Sequence, residues 1–404
     1  MIPVSEAIQI VKQKSVALSA ESVSLEDSLG RYLAQDIFAD CDLPPFDRSQ
    51  MDGYAIRAAD VLNASADTPV PLQIVGESAA GRGWHHEMSS GQAVRIMTGA
   101  PVPAGADSVQ QVELTRETEN KVNILEPVAV GRSIVKQAAE IRSGALVLHA
   151  GEQVNAGMVA VLASFGYARV SVGLLPRVAV LATGSELVAV DQKPGMDQIR
   201  DSNNYSISSY AKLAGAIVER LPLAGDDADL LQRQISEAAE RSDIVITSGG
   251  VSVGVYDFTK LALKQLGAEF FFEKVALRPG KPTVFAKLPN GALVFGLPGN
   301  PVSVSVTFNL FARAAILAAQ KAGQTELEQQ TAVLSAGVKS AKERESYLPA
   351  RLRTNDEGHL RAEPLKWGGS SDFIGFARAN SLVVVPADAG VVEAGAKVRI
   401  LLLP

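Results

Sequence analysis

The sequence predicts a multidomain α/β protein: a central three-layer α/β/α domain with a mostly parallel sheet, a β-rich inserted lobe, an elongated N-terminal domain and a small C-terminal β-barrel. Length is the first observation behind this. At roughly 150 residues per domain, 404 residues make two to four domains, each long enough to bury a core. Composition is the second, since 47% apolar and 20% charged residues are ordinary globular usage, too apolar for a disordered chain. Periodicity is the third. Strands alternate with helices across 174–323, whereas the flanks carry short β-like runs between turns drawn from 34 Gly and 20 Pro.

In order, residues 1–40 give a helix at 5–19 and then an extended arm. Residues 41–136 form the inserted lobe, and 137–173 return to the N-terminal domain with a helix for which Asn155 is a candidate cap. In 174–323, the apolar run 178–182 reads as a strand ending in Thr183-Gly184-Ser185-Glu186. Ser202 and Asn203 are candidate N-caps of a helix that closes at Gly215. A strand at 216–223 meets Gly225-Asp226-Asp227, a helix at about 229–241 follows, and a strand at 243–247 ends in Ser248-Gly249-Gly250. Next come a helix at 256–266, extended runs on either side of Pro279-Gly280-Lys281-Pro282, and a strand at 292–296. Pro298-Gly299-Asn300-Pro301 then opens a long apolar helix to about 319. Residues 324–404 alternate in short strands at 332–335, 347–353, 382–385 and 397–403, as a small barrel would.

Several functions are disfavoured at once. No run of about 18 uncharged apolar residues offers a membrane span, and Glu6, Lys12 and Lys14 interrupt any export signal. Cys41 is the single cysteine, so no internal disulfide or multi-thiolate metal site forms, and a reducing cytoplasm fits. Its expected state is a buried or incidental thiol. The net charge is −6 without a basic run, which speaks against nucleic acid. That charge is uneven: −7 over 1–173, +1 over 174–323 and 0 over 324–404, so the middle segment is the least hostile to an anion.

The loops 183–186, 225–227, 248–250 and 297–301 each follow a strand and precede a helix. In a parallel sheet they gather at the carboxyl edge, where open α/β sheets bind ligands. Ser248-Gly249-Gly250-Val251-Ser252 can cradle a phosphate on backbone N–H groups; an isolated Gly-Gly reads first as an ordinary glycine turn, and its place at the carboxyl edge, with Asp257 seven residues after Gly250, favours the phosphate instead. Pro298, Gly299, Asn300 and Pro301 explain themselves as a helix start, yet that helix start and Ser303 also offer an oxyanion site. Lys274, Arg278 and Lys281 are either solvated charge or cations positioned by the flanking prolines. Glu186, Asp226 and Asp257 are singly surface or capping acids; converging on one edge, they would supply the oxygen ligands Mg²⁺ prefers.

Five segments in this order, FDRSQMDGYA, RIMTGAPVPAGADSVQQVE, SGGVSVGVYDFTK, LRPGKP and GLPGNPVS, resemble the bacterial molybdopterin molybdenumtransferase (MoeA) family, related to the gephyrin E domain. The resemblance implies that molybdate is inserted into the dithiolene of adenylylated molybdopterin, with release of AMP, in a Mg²⁺-dependent step. It assigns functional roles to Asp52, Thr98, Glu186, Asp226, Asp257, Lys274, Arg278, Lys281, Pro298 and Pro301. It also implies a cytoplasmic homodimer whose sites join the lobe of one chain to the middle domain of the other, and a transient contact with the molybdopterin adenylyltransferase. Two departures stand out. Arg278 replaces the family's usual lysine, a fork for a point charge. The family's Arg-x-Gly-Glu-Asp segment appears as Lys136-Gln-Ala-Ala-Glu140-Ile141, so Glu140 receives no catalytic role. Two other readings stay open: a molybdopterin adenylyltransferase, and a non-catalytic gephyrin-like scaffold.

Overall fold

A computed structural model describes residues 1–225, 227–251, 257–366 and 368–404. The chain folds as two compact units, one of residues 1–35, 150–159 and 168–404, the other of 36–149 and 160–167.

In the first unit, a six-stranded sheet has the order Ile217–Arg220, Arg177–Ala182, Ile244–Ser248, Leu293–Leu297, Val284–Lys287, Glu269–Phe272. The first four strands are parallel; Val284–Lys287 runs against them, and Glu269–Phe272, antiparallel to it, runs with them again. That reversal follows from chain length: 288–292 is a five-residue turn, enough for a hairpin and far too short for a parallel crossover. Side-chain alternation builds the three layers. Val178, Val180, Ile244 and Ile246 bury one face against the helices Asn203–Leu213 and Pro301–Thr307. Ala179, Leu181 and Val245 bury the other against Leu231 and Ile235 of Ala228–Ala239 and Leu263 of Phe258–Gln265.

Element boundaries moved where local chemistry intervened. The first helix is Val4–Lys14, shorter than expected, because Ser15 is already extended and the chain goes on to pair Ala20–Ser24 with Arg169–Gly173. The expected strand at 216–223 shrinks to Ile217–Arg220, just short of Pro222. Asn155 does cap the Ala156–Ser164 helix, accepting from the Met158 N–H at 3.0 Å. Ser202 makes no side-chain cap, and Asn203 is the first helical residue rather than the cap. Cys41 is exposed, not buried.

The long helix predicted after Pro301 runs to Ala319 and contains a π-helical turn, Phe308–Ala312. Among the described residues it is long and apolar enough to cross a membrane, although Arg313 lies inside it and breaks the uncharged run. It is 89% buried within the fold, and its apolar surface is that of a core helix.

Residues from 329 onward close a five-stranded barrel in the order Glu345–Thr354, Leu360–Pro364, Gln329–Leu334, Lys397–Leu402, Ser381–Val385, the last pairing back on the first. Leu277–Arg278 adds to its rim, parallel to Glu345 and Ser346. The second unit holds a six-stranded sheet ordered Ser108–Gln111, Gly53–Ile56, Gln92–Ile96, Val70–Ser78, Lys121–Ile124, Thr115–Thr118. Its two edge strands are joined by the 3-10 turn Val112–Leu114, so the sheet curls into a half-barrel.

Candidate active site

The carboxyl ends of the parallel strands open into a cleft of about 970 Å³. Its walls bring together Glu186, Ser248, Gly249, Gly250, Pro298, Gly299, Asn300 and Pro301, as the topology predicted. Gly249 is pressed so closely on Thr183 that a Cβ would stand 2.2 Å from the Thr183 carbonyl oxygen, at φ +94°; packing and backbone conformation alone require the glycine. Asn203 pins this edge. Its amide Nδ2 donates to Ser248 Oγ at 2.8 Å and to the Gly299 carbonyl at 2.6 Å, tying the glycine loop to the Pro-Gly-Asn-Pro loop. Asn300 precedes its helix without a side-chain cap, and its Nδ2 donates to Ser370 Oγ at 2.9 Å.

Beside the cleft lies a pocket of about 350 Å³ walled by Arg278, Lys281, Ser303, Arg344 and Ser370, and sharing Pro282, Pro298 and Asn300 with it. Three cations therefore face a small volume with two hydroxyls. Arg278 reaches it because its strand joins the barrel rim, and Lys281 because Thr283 Oγ1 donates to the Gly280 carbonyl at 2.7 Å and closes the turn. Lys274 lines neither cavity; its carbonyl accepts the Ile2 N–H.

The acids do not converge. Glu186 stands in the cleft wall. Asp257 caps the Phe258–Gln265 helix, accepting from the Lys260 N–H at 3.4 Å, and pairs with the Lys260 ammonium at 2.5 Å; Glu273 approaches the same ammonium at 3.6 Å. Asp226 and Ser252 lie outside the described residues. Among the described residues no group of three His, Cys, Asp or Glu is placed to hold a metal.

In the second unit Asp52 and Thr98 meet. One carboxylate oxygen of Asp52 accepts the Thr98 N–H at 2.7 Å and the Thr98 hydroxyl at 2.8 Å. These bonds, the backbone one foremost, hold the Asp52 carboxyl below the usual carboxylate range against a small opposing desolvation. The variant segment is engaged with the lobe motif: Lys136 pairs with Asp47 at 2.7 Å, and Glu140 with Arg48 at 3.3 Å. Desolvation raises the Asp47 carboxyl, but the Lys136 and Gln137 hydrogen bonds outweigh it and leave it lowered.

Sequence reading missed Arg200 and Phe373, which line the cleft, Arg344 and Ser370 of the small pocket, and the bridging role of Asn203. Arg344, Ser370 and Phe373 sit in the barrel segment, more than 40 residues from the nearest motif, and carry no local signal. Asn203 was visible only as a capping candidate.

An α/β unit with a glycine loop, a helix start and a cation pocket at the carboxyl edge of its sheet is the arrangement of proteins that bind anionic ligands there. Comparisons narrow the class. Residues 2–166 match the MoeA N-terminal region (domain I and II), 179–318 the probable molybdopterin binding domain and 331–403 the MoeA C-terminal region (domain IV). The molybdopterin molybdenumtransferase of Bacillus subtilis is 37% identical, over 100% of this chain and 94% of that protein. The Staphylococcus aureus (strain Mu50) molybdopterin molybdenumtransferase is also 37% identical, over 99% and 95%. Two solved structures of the molybdopterin biosynthesis MoeA protein of Pyrococcus horikoshii superpose with TM-scores of 0.84 and 0.86, at 31% and 28% identity. Each covers 100% of this chain, which spans 99% and 100% of theirs. The chain belongs to the molybdopterin molybdenumtransferase family.

Proposed function

We propose that this chain inserts molybdate into the dithiolene of adenylylated molybdopterin and releases AMP. Family membership supports the reading, and one observation carries it: a cleft of nucleotide size shares a wall with a small pocket of three cations and two hydroxyls. The organic body of the substrate fits the first, and a tetrahedral oxyanion suits the second. On this reading the pyrophosphate lies over Ser248, Gly249 and Gly250. Water cleaves the phosphoanhydride and AMP leaves; the dithiolene sulfurs replace molybdate oxygen, which departs as water with the thiol protons. Arg278 and Lys281 stabilise the negative charge that develops. Asp52, Thr98 and Lys274 are kept as catalytic candidates, and Asp226 and Ser252 as candidate ligands.

Mg²⁺ is part of the proposal as a cofactor. With no three-acid cluster among the described residues, the fit is to a cation held chiefly by substrate phosphates and water, with Glu186 as protein ligand. Bound so, it would offset phosphate charge. Asp257 would join only after releasing Lys260. The protein is further proposed to work as a homodimer in the cytoplasm, apart from nucleic acid and membrane, and to meet the molybdopterin adenylyltransferase transiently.

Incubating the purified protein with adenylylated molybdopterin, molybdate and Mg²⁺ tests the reading. AMP and active cofactor are expected. Pyrophosphate released from ATP and molybdopterin would instead make the chain an adenylyltransferase, and inertness in both assays would leave the scaffold.

A further inference from the structure

The Asp52–Thr98 contact lies just beyond the paired part of its two strands. Gly53↔Ile96 is the last rung of that ladder, Tyr54↔Arg95 the next one in, and Asp52 and Thr98 sit past the end, where pairing frays most readily. At the Tyr54↔Arg95 rung both side chains turn to a third residue. The Tyr54 hydroxyl donates to one oxygen of the Glu117 carboxylate, and the Arg95 guanidinium donates to the other.

Glu117 is not a neighbour in the sheet. Its strand, Thr115–Thr118, is the far edge, separated from Gly53–Ile56 by three intervening strands. The carboxylate therefore spans the open side of the half-barrel. Tyr54 is 3% exposed and belongs to the lobe core with Ile56, Leu72, Val122 and Ile124, so its hydroxyl needs a partner on burial. Arg95 and Glu117 are each over one-third exposed; as an isolated surface pair they would contribute little. Their weight comes from sharing the carboxylate with a buried donor.

We propose that Glu117 is a positioning residue: by binding Tyr54 and Arg95 together it fixes the strand ends in the register that joins Asp52 to Thr98. The proposal rests on the reading above only where it concerns catalysis, since the positioning itself is measured on Asp52 directly. Tyr54 suits the task because desolvation first, and then its bond to Glu117, push its pKa up to about 12, leaving it a donor at any physiological pH.

The test compares Glu117→Ala, Glu117→Gln and, as a milder variant that keeps the buried ring, Tyr54→Phe. Three quantities are measured on each: the Asp52 carboxyl titration by NMR, the melting temperature, and kcat and KM for AMP release. Glu117→Ala is expected to return the Asp52 titration toward the ordinary value of about 3.9 and to lower kcat by about tenfold or more, with KM little changed. Glu117→Gln, which keeps the shape and loses the charge, should fall between, as should Tyr54→Phe. A merely structural glutamate would lower the melting temperature with the Asp52 titration unmoved, in Glu117→Ala and Tyr54→Phe alike, and that result overturns the proposal. A shifted titration with unchanged kcat upholds the positioning and removes Asp52 from the chemistry instead.

Discussion

At Asp257, a helix cap, an ion pair and a proposed metal ligand compete for two oxygens. The carboxylate is given to the Lys260 N–H and ammonium, so a cation at this acid has to displace a lysine that is itself largely buried. Replacing Lys260 by Gln should therefore lower the Mg²⁺ concentration needed for half-maximal AMP release, whereas Asp257→Asn should raise it. A Mg²⁺ titration of both variants decides, and an unaltered requirement in each removes Asp257 from metal binding. Asp52 offers a pH test. Its folded-state pKa is depressed, so its contribution to stability is present above the unfolded value of about 3.9 and is lost as pH falls through the lower folded value. Thr98→Val deletes the hydroxyl donor and keeps the N–H. The variant's Asp52 should titrate part-way back toward normal, and its acid unfolding should begin at a higher pH than in the wild type. Coincident acid melts would show that the hydroxyl bond does not survive in solution.

The turn Pro279-Gly280-Lys281-Pro282 shows how an element delivers charge. Gly280 takes φ +116°, and a Cβ there would stand 2.5 Å from Thr307 Cγ2 on the Pro301–Thr307 helix. Gly280→Ala combines backbone strain with overpacking, and a loss of about 2 to 4 kcal/mol is expected, read by denaturant unfolding. Lys281→Ala is a contrasting change: the turn keeps its shape and loses a cation. It should leave the midpoint within about 0.5 kcal/mol of wild type and cut the rate of AMP release by about a hundredfold. A lysine with a structural task would reverse that pattern. Arg278→Lys restores the residue usual in the resembling family and should be tolerated; a collapse in rate would mean that this chain depends on the planar fork.

On the scale of the whole molecule, the lobe residues Asp52 and Thr98 belong to one compact unit and the cleft to the other. A two-fold assembly in which each lobe completes the partner's site would give two equivalent centres. Sedimentation should report a homodimer, and co-expression decides how the sites are built. In a purified dimer of one Asp52→Asn chain and one Asp257→Asn chain, assayed at a Mg²⁺ concentration too low for the Asp257→Asn variant, trans sites leave one centre carrying both changes and one carrying neither, with about half of wild-type activity. Sites built in cis leave a lesion in each, and a mixed dimer as inactive as its parents, each single variant being inactive, would sink the shared-site proposal.

The sequence by itself determined the alternation of strands and helices, and through it the edge at which 183–186, 248–250 and 297–301 gather; periodicity and turn residues are local signals, and parallel topology does the rest. It also determined the family, because five motifs in order carry it. What only tertiary structure decided were the contacts between distant segments. The barrel brings Arg344 and Ser370 to Arg278 and Lys281. Asn203 leaves its role as a cap to bind Ser248 and Gly299, and Lys260 takes the carboxylate that sequence had offered to a metal. Each is a choice of partner, fixed by which side chains the packed core leaves within hydrogen-bonding reach, and no periodicity or local propensity encodes that distance.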